Sequence, residues 1–177
     1  KDLRKWVTEI HELRVNGGTL RLTAAQMMSL YELSKRGQAI LHMKGGVKAD
    51  TINVRGKTRT REKAYHLTDV DIQNIIGQLT EQQKAIADRM QQYMANECAK
   101  QGNAAAMTMY GYEKFTEKNY FPISTDKTMV ATNNSNLTNE TLNAIERSGF
   151  TKQVKENASN PILIRDIFDV FTDHATD

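Results

Sequence analysis

The chain has 177 residues, of which 39% are hydrophobic and 25% are charged, and its formal net charge is +3. This length fits one domain with one modest hydrophobic core, and the composition is ordinary for a soluble and largely helical protein. A single cysteine excludes an internal disulfide, and no apolar run approaches the roughly 20 residues that a membrane-spanning helix needs.

Two helices are predicted before the first extended segment. Apolar residues recur at spacings of three and four over residues 2–15, and the motif NGG follows them, so we expect a helix that ends at its glycines. Thr23 and Gln26 then have the spacing of a capping box, in which each side chain satisfies a backbone amide of the other residue. The second helix is expected to begin there and to be interrupted near Gly37.

A basic β-hairpin arm is predicted between residues 47 and 66, where the helical period fails and β-branched residues appear. We expect residues 47–54 to pair with residues 57–66, with Arg55 and Gly56 available as the turn. Cations occupy every second position here, and on a strand such residues point to the same side. The members of this basic row are Arg55, Lys57, Arg59, Arg61 and Lys63.

Three interpretations of the basic row stay open. Positions 35 to 63 contain nine Lys or Arg and two acidic residues, so this part of the chain carries +7 and the remainder −4. A row of cations suits a phosphate backbone, whose neutralisation dominates nucleic-acid affinity, and it equally suits an acidic protein partner. The third interpretation is a solvent-facing edge strand, on which Lys and Arg prevent aggregation.

Helical signals return after the arm. Capping-box spacings at Thr68 and again at Thr80 predict two helices, the first of which is expected to bury Val70 and the second of which is long. Gly102 and Asn103 predict a cap or bend before a separate short helix that is rich in tyrosine and methionine. The methionines expected to fill the core include Met107 and Met109.

The C-terminal quarter is predicted to hold a polar loop at residues 124–137 and a final helix from Pro161, with Ser159 or Asn160 as its N-cap. Aspartates at helical spacing form an acidic stripe on one face of that helix. A single stripe spreads its carboxylates along solvent and does not converge on a metal ion, so we interpret it either as a solvated stripe or as an acidic partner face. The stripe comprises Asp166, Asp169, Asp173 and Asp177.

Three segments resemble the large polyvalent proteins, which are very large multidomain proteins of bacteriophages and integrative mobile elements. The segments read LTEQQKAIADRMQQYM, MTMYGYEKFTEKNYFPI and SNPILIRDIFDVFTDHA, and the resemblance covers residues 65–177. Such proteins join enzymatic domains, including nucleases and peptidases, with helical regions. The resemblance implies a helical connecting module that acts in the bacterial cytoplasm or travels with the virion, and it supplies no catalytic residues.

The whole sequence predicts a mainly α chain of five to seven helices, folded as one domain over residues 1–177 with the basic arm as an insertion. It assigns no catalytic residue, metal site or cofactor. We therefore expect a non-catalytic interaction or scaffolding module of a larger phage or mobile-element protein, and alternatively a module that binds nucleic acid without regard to sequence. The expected partners are other domains of the parent protein, another protein, nucleic acid or a second copy, but not a membrane.

Overall fold

Six helices and seven strands occur within the residues that the computed structural model describes, which are 2–50, 52–54, 57–59, 63–113, 118–125 and 161–176. The helices are α1 Asp2–Thr8, α2 Ala24–Leu33, α3 Gly37–Gly45, α4 Asp69–Gly77, α5 Glu81–Tyr110 and α6 Ile167–Thr176. The strands are β1 Ile10–Val15, β2 Gly18–Thr23, β3 Val47–Ala49, β4 Ile52–Val54, β5 Lys57–Arg59, β6 Ser124–Thr125 and β7 Ile162–Ile164. The chain is mainly α with a β-hairpin, as its sequence predicts.

The predicted helix over residues 2–15 is wrong in its second half, which belongs to a β-hairpin. α1 ends before β1 begins, and β1 pairs with β2 in antiparallel register, with Leu13 opposite Leu20. Both leucines are buried, so this first hairpin covers part of the core. Only Asn16 and Gly17 separate the paired strands, and Gly17 adopts a φ of 90°, which suits a hairpin loop and not a helix.

α2 is the most deeply buried helix element of the core, because nine of its ten residues are buried. It contacts α1, α4, α5, α6 and the strands β2 and β7. The predicted capping box is formed, with Thr23 and Gln26 each accepting a hydrogen bond from the backbone N–H of the other. α3 begins at Gly37, which confirms the predicted interruption.

The predicted helix from Pro161 is wrong in its first turn, because residues 162–164 form β7 at the centre of a three-stranded sheet. β7 pairs with β3 in parallel and with β6 in antiparallel orientation, and all three of its residues are buried. A short apolar run without alternation is typical of a strand that is buried on both faces. α6 starts only after Asp166, whose carboxylate accepts a backbone N–H of the first turn. Ser159 and Asn160 lie outside the described residues.

The capping boxes predicted at Thr68 and Thr80 are both formed. α5 then continues for 30 residues without the predicted break at Gly102, and its C-cap is Gly111, which adopts the left-handed conformation. One glycine costs a helix only about 1 kcal/mol, and the neighbouring alanines are the best helix formers, so the helix continues through it. The predicted polar loop at 124–137 contributes its first two residues to β6, and its other residues lie outside the described ranges.

Several residues that the sequence assigns to the core are exposed, including Val70, Met107, Met109 and Tyr93. Val70 is 67% exposed because it lies two positions before the buried Ile72, on the opposite side of α4. Met107 and Met109 are 51% and 71% exposed because they belong to the last turns of α5, where most side chains face solvent. Met94, in the middle of the same helix, is buried as predicted.

Candidate functional site

The described part of the basic arm contains a short antiparallel hairpin. β4 pairs with β5, and only two residues separate the paired strands in sequence. Lys57 and Arg59 therefore occupy alternate positions of one strand. Arg55 and Arg61 lie outside the described residues.

The described residues at the base of the arm also face each other, because Val47 forms an antiparallel bridge with Tyr65 through two backbone hydrogen bonds of 2.8 Å. β3 pairs in addition with β7, in parallel orientation. β7 has a neighbouring strand along each edge, β3 and β6, and all three of its residues are buried, so β3 belongs to the core sheet. The arm therefore follows directly on a strand of the core.

The outgoing end of the arm is held at Asp50. Its backbone N–H donates to the carbonyl of Ile164 at 3.0 Å, and its carbonyl accepts from the side-chain amide of Gln26 at 3.4 Å. The Asp50 carboxylate also lies 3.8 Å from the guanidinium of Arg165. Asp50 thus connects β7, α2 and the residue after β7, and this end of the arm has a defined position.

The returning end of the arm contacts the first hairpin. Lys63 is exposed, and its ammonium donates to the carbonyl of Gly17 at 3.3 Å and lies 5.6 Å from the ring centroid of Tyr65. Tyr65 packs against Gly18, where an added Cβ would come within 3.1 Å of the ring. Of the basic row, Lys63 thus lies at the base of the arm, whereas Lys57 and Arg59 lie on β5.

The three described aspartates of the acidic stripe have different environments. Asp166 precedes α6 and is half-buried, and burial raises the pKa of its carboxyl although a backbone N–H of α6 donates to it. Asp173 accepts from the guanidinium of Arg165 at 2.6 Å. Asp169 is exposed, and Asp177 lies outside the described residues. The stripe is therefore not a uniform acidic face, because a cation partly neutralises it.

A surface that the sequence did not single out lies at the C-terminal end of α5. The α5 tip comprises Met107, Met109, Tyr110 and Tyr112, which are 51% to 71% exposed. The rings of the two tyrosines are 6.2 Å apart. No charged residue occurs at positions 101–112. The lack of charge in this stretch is visible in the sequence and could have indicated the surface. Helical spacing alone, however, does not distinguish an apolar face that packs against another element from one that faces solvent.

A second cluster that the sequence did not reveal joins α2 to α5. The Lys35 cluster comprises Lys35, Glu32 and Asp88, and its ammonium lies 3.0 Å from the Glu32 carboxylate and 2.5 Å from the Asp88 carboxylate. The ring centroid of Tyr31 lies 4.3 Å from the same ammonium. The Glu32 side chain is 0% exposed, whereas that of Asp88 is 39% exposed.

The pKa values of the Lys35 cluster follow from these positions. Burial raises the pKa of Glu32 to about 7, and Asp88 adds to the rise while Lys35 opposes it. Burial acts in the same direction at Asp88, but hydrogen bonds with Lys35 and Glu32 outweigh this effect. The pKa of Asp88 is therefore lowered. The two carboxyl groups lie on different helices that are distant in sequence, so no local pattern predicts them together.

No helix among the described residues combines the length and hydrophobicity that crossing a membrane requires. In the same part of the chain, no three His, Cys, Asp or Glu side chains are grouped so that they hold a metal ion. Comparisons with protein-family models, with curated proteins and with solved structures find no match. The candidate sites are therefore the basic arm, the α5 tip and the Lys35 cluster, each defined by the chain's own residues.

Proposed function

We propose that this chain is a non-catalytic interaction module that binds a partner protein through the α5 tip. The observation that carries the proposal is the exposure of two methionines and two tyrosines within six residues of an uncharged stretch. Tyrosine and methionine are enriched at the centres of protein interfaces, where charged residues are depleted. Exposed apolar groups in water are unfavourable, and a bound partner removes that cost.

The chemistry of the partner follows from the α5 tip. Because residues 101–112 carry no charge, the matching surface is apolar and uncharged, and ion pairs do not hold the complex together. Methionine side chains adapt to irregular surfaces, and tyrosine rings bury large areas while their hydroxyls stay at the wet rim. The resemblance to large polyvalent proteins supports a partner surface on another domain of a larger phage or mobile-element protein.

Charge placed on the α5 tip is expected to break the complex. Met109→Lys combined with Tyr110→Lys should weaken partner binding at least about tenfold, because a central interface side chain contributes roughly 2 kcal/mol and buried lysines add a desolvation cost. Gln82→Lys combined with Gln92→Lys is the matched control, since both glutamines are exposed on α5. The amount of partner protein that each immobilised variant captures, measured with and without high salt, gives the size of the effect. An equal loss of partner binding in the control variant would contradict an apolar contact at the α5 tip. A loss of wild-type binding at high salt would contradict it as well.

A second function, sequence-independent binding of nucleic acid, is favoured by the basic arm. Lys57 and Arg59 alternate along β5, and the exposed Lys63 lies at the base of the same arm. Both ends of the arm are held by hydrogen bonds to the core and the first hairpin, so the arm leaves the core at a defined place. Such a contact gains its affinity from phosphate neutralisation and carries no base preference.

Reversing the charge of β5 tests this second function. Lys57→Glu with Arg59→Glu should abolish binding of a labelled single strand or duplex, and wild-type binding should fall steeply as salt rises from about 50 to about 200 mM. Arg89→Glu with Lys100→Glu makes the same charge change at exposed positions of α5 and should retain most of the affinity. Fluorescence anisotropy measures all three proteins. Wild-type protein that binds neither strand form at low salt would exclude this function.

A further inference from the structure

The Lys35 cluster lies beside the site where residues 118–121 are held against the core. Arg36, the residue after Lys35, donates to a carbonyl of this segment at 3.2 Å. Gln91, one turn after Asp88, donates to two more of its carbonyls at 3.0 and 2.9 Å. The end of α2 and the middle of α5 therefore hold both the cluster and the segment, so a change in one is expected to affect the other.

One cation faces two carboxylates in the cluster. If both carboxylates are ionised, the cluster carries a net charge of −1, and one of those charges lies on Glu32, whose side chain is 0% exposed. An ionised carboxylate without water or a partner of its own is strongly unfavourable, and two neighbouring carboxylates disfavour double ionisation. The Asp88 side chain is 39% exposed whereas that of Glu32 is 0% exposed, so Asp88 keeps the negative charge and Glu32 takes up a proton.

The groups that face Glu32 come from two elements. Among the described residues they are Lys35, at the end of α2, and Asp88, on α5, while Tyr31 faces Lys35 and Asp88. Protonated Glu32 is neutral, and the Asp88 carboxylate accepts from Lys35. In that state one cation balances one carboxylate, and no buried charge lacks a partner.

We propose that the Lys35 cluster is a proton-operated latch, in which one proton on Glu32 holds the end of α2 against α5 and its loss loosens this junction and residues 118–121. Without the proton, Glu32 repels Asp88 and competes with it for Lys35. The pKa of Glu32, about 7, means that this change occurs in the neutral range. The latch acts independently of the α5 tip and of the basic arm.

The sign of the pH dependence follows from the raised pKa of Glu32. Because the folded state holds this proton more tightly than the unfolded state, the contribution to stability is fully present below the ordinary glutamate value of 4.5 and is lost as pH rises through about 7. The folded junction should therefore open more often on the alkaline side of neutrality.

Hydrogen exchange of the full chain tests the latch. After correction for intrinsic exchange rates, amides in residues 30–36 and 118–121 should open about tenfold more often at about pH 8 than at about pH 6. Glu32→Gln keeps a neutral side chain at both pH values and should abolish this difference. Glu81→Gln is the control, because Glu81 is 91% exposed beside Lys84 and should behave as wild type.

Two outcomes of the exchange experiment would overturn the latch: a wild-type opening rate that does not change with pH, or a Glu32→Gln protein that keeps the wild-type response. Carbon-13 NMR titration of the Glu32 carboxyl in the wild-type chain is a test that needs no variant, and a midpoint at the ordinary 4.5 would also overturn it. If Glu32→Gln does not fold, Asp88→Asn takes its place. Without the Asp88 carboxylate, Lys35 interacts with Glu32 alone, so the titration midpoint of Glu32 should fall below the wild-type value. An unchanged midpoint would count against the latch.

Discussion

Replacing Gln26 with glutamate is expected to lower the free energy of unfolding by about 3–5 kcal/mol at neutral pH. Gln26 is 1% exposed, and its side-chain oxygen accepts from the N–H of Thr23 at 3.0 Å. Its side-chain nitrogen donates to the carbonyls of Asp50 at 3.4 Å and Ile164 at 3.2 Å. A carboxylate keeps the first bond but repels both carbonyls, and each of them loses this donor. One side chain thus joins the start of α2, the root of the basic arm and β7.

Gln83→Glu is the matched control for this prediction. Gln83 is also buried, and it occupies the same position in the capping box of α5, where its side-chain oxygen accepts from the N–H of Thr80. Glutamate serves equally well in a capping box, so stability should change by less than about 1 kcal/mol. Urea denaturation of both variants measures the difference. Similar losses for the two glutamines would show that the bonds to the two strand carbonyls contribute little.

Ile164→Ala is expected to cost about 3–4 kcal/mol, because it removes a fully buried side chain from the central strand of a sheet and leaves a cavity. Ile164 is 0% exposed in β7, between β3 and β6. The loss of stability on this substitution tests whether β7 is buried at the centre of its sheet.

Val70→Ala is the complementary measurement, because the sequence assigns Val70 to the core while the structure leaves it 67% exposed. Its stability should change by less than about 0.5 kcal/mol. Thermal or urea unfolding of both variants suffices. A large loss for Val70→Ala together with a small one for Ile164→Ala would contradict the packing described above and favour the sequence-based assignment.

The parts of the fold that could be predicted are those that depend on neighbours three or four residues apart. The capping boxes at Thr23, Thr68 and Thr80 are formed as expected, because the two partners of each box lie within one helical turn. The interruption at Gly37 has the same local origin. The β4–β5 hairpin was also predictable, since two residues link its strands.

The errors in the fold arise where short apolar segments are ambiguous or where distant segments pair. Residues 10–15 have helical spacing as well as strand character, and the Asn16-Gly17 loop decides between them. The strand at 162–164 exists because residues 47–49 pair with it in parallel, and nothing near either segment in the sequence announces that pairing. Tertiary context therefore overrides local periodicity at both places.

The candidate sites divide in the same way. The basic row is visible in the sequence because its members alternate over a few residues, although only the structure puts Lys63 in contact with Gly17. The Lys35 cluster depends on the packing of α2 on α5, which brings Asp88 to Lys35, and no spacing rule reaches that far. The α5 tip has ordinary helical spacing, and such spacing does not show whether another element covers that end of the helix. The exposure of its side chains is visible only in the structure.

Photo-crosslinking from position 110 tests the proposed interaction module most directly. A photoreactive phenylalanine derivative replaces Tyr110, which is 52% exposed in the α5 tip, and the same derivative at the exposed Gln73 of α4 is the control. We predict a discrete protein adduct from position 110 that persists at high salt, is absent from position 73 and disappears when Met107 and Met109 are replaced by lysine. The absence of a discrete adduct from position 110, or the same adducts from both positions, would contradict the proposal that the α5 tip binds a partner.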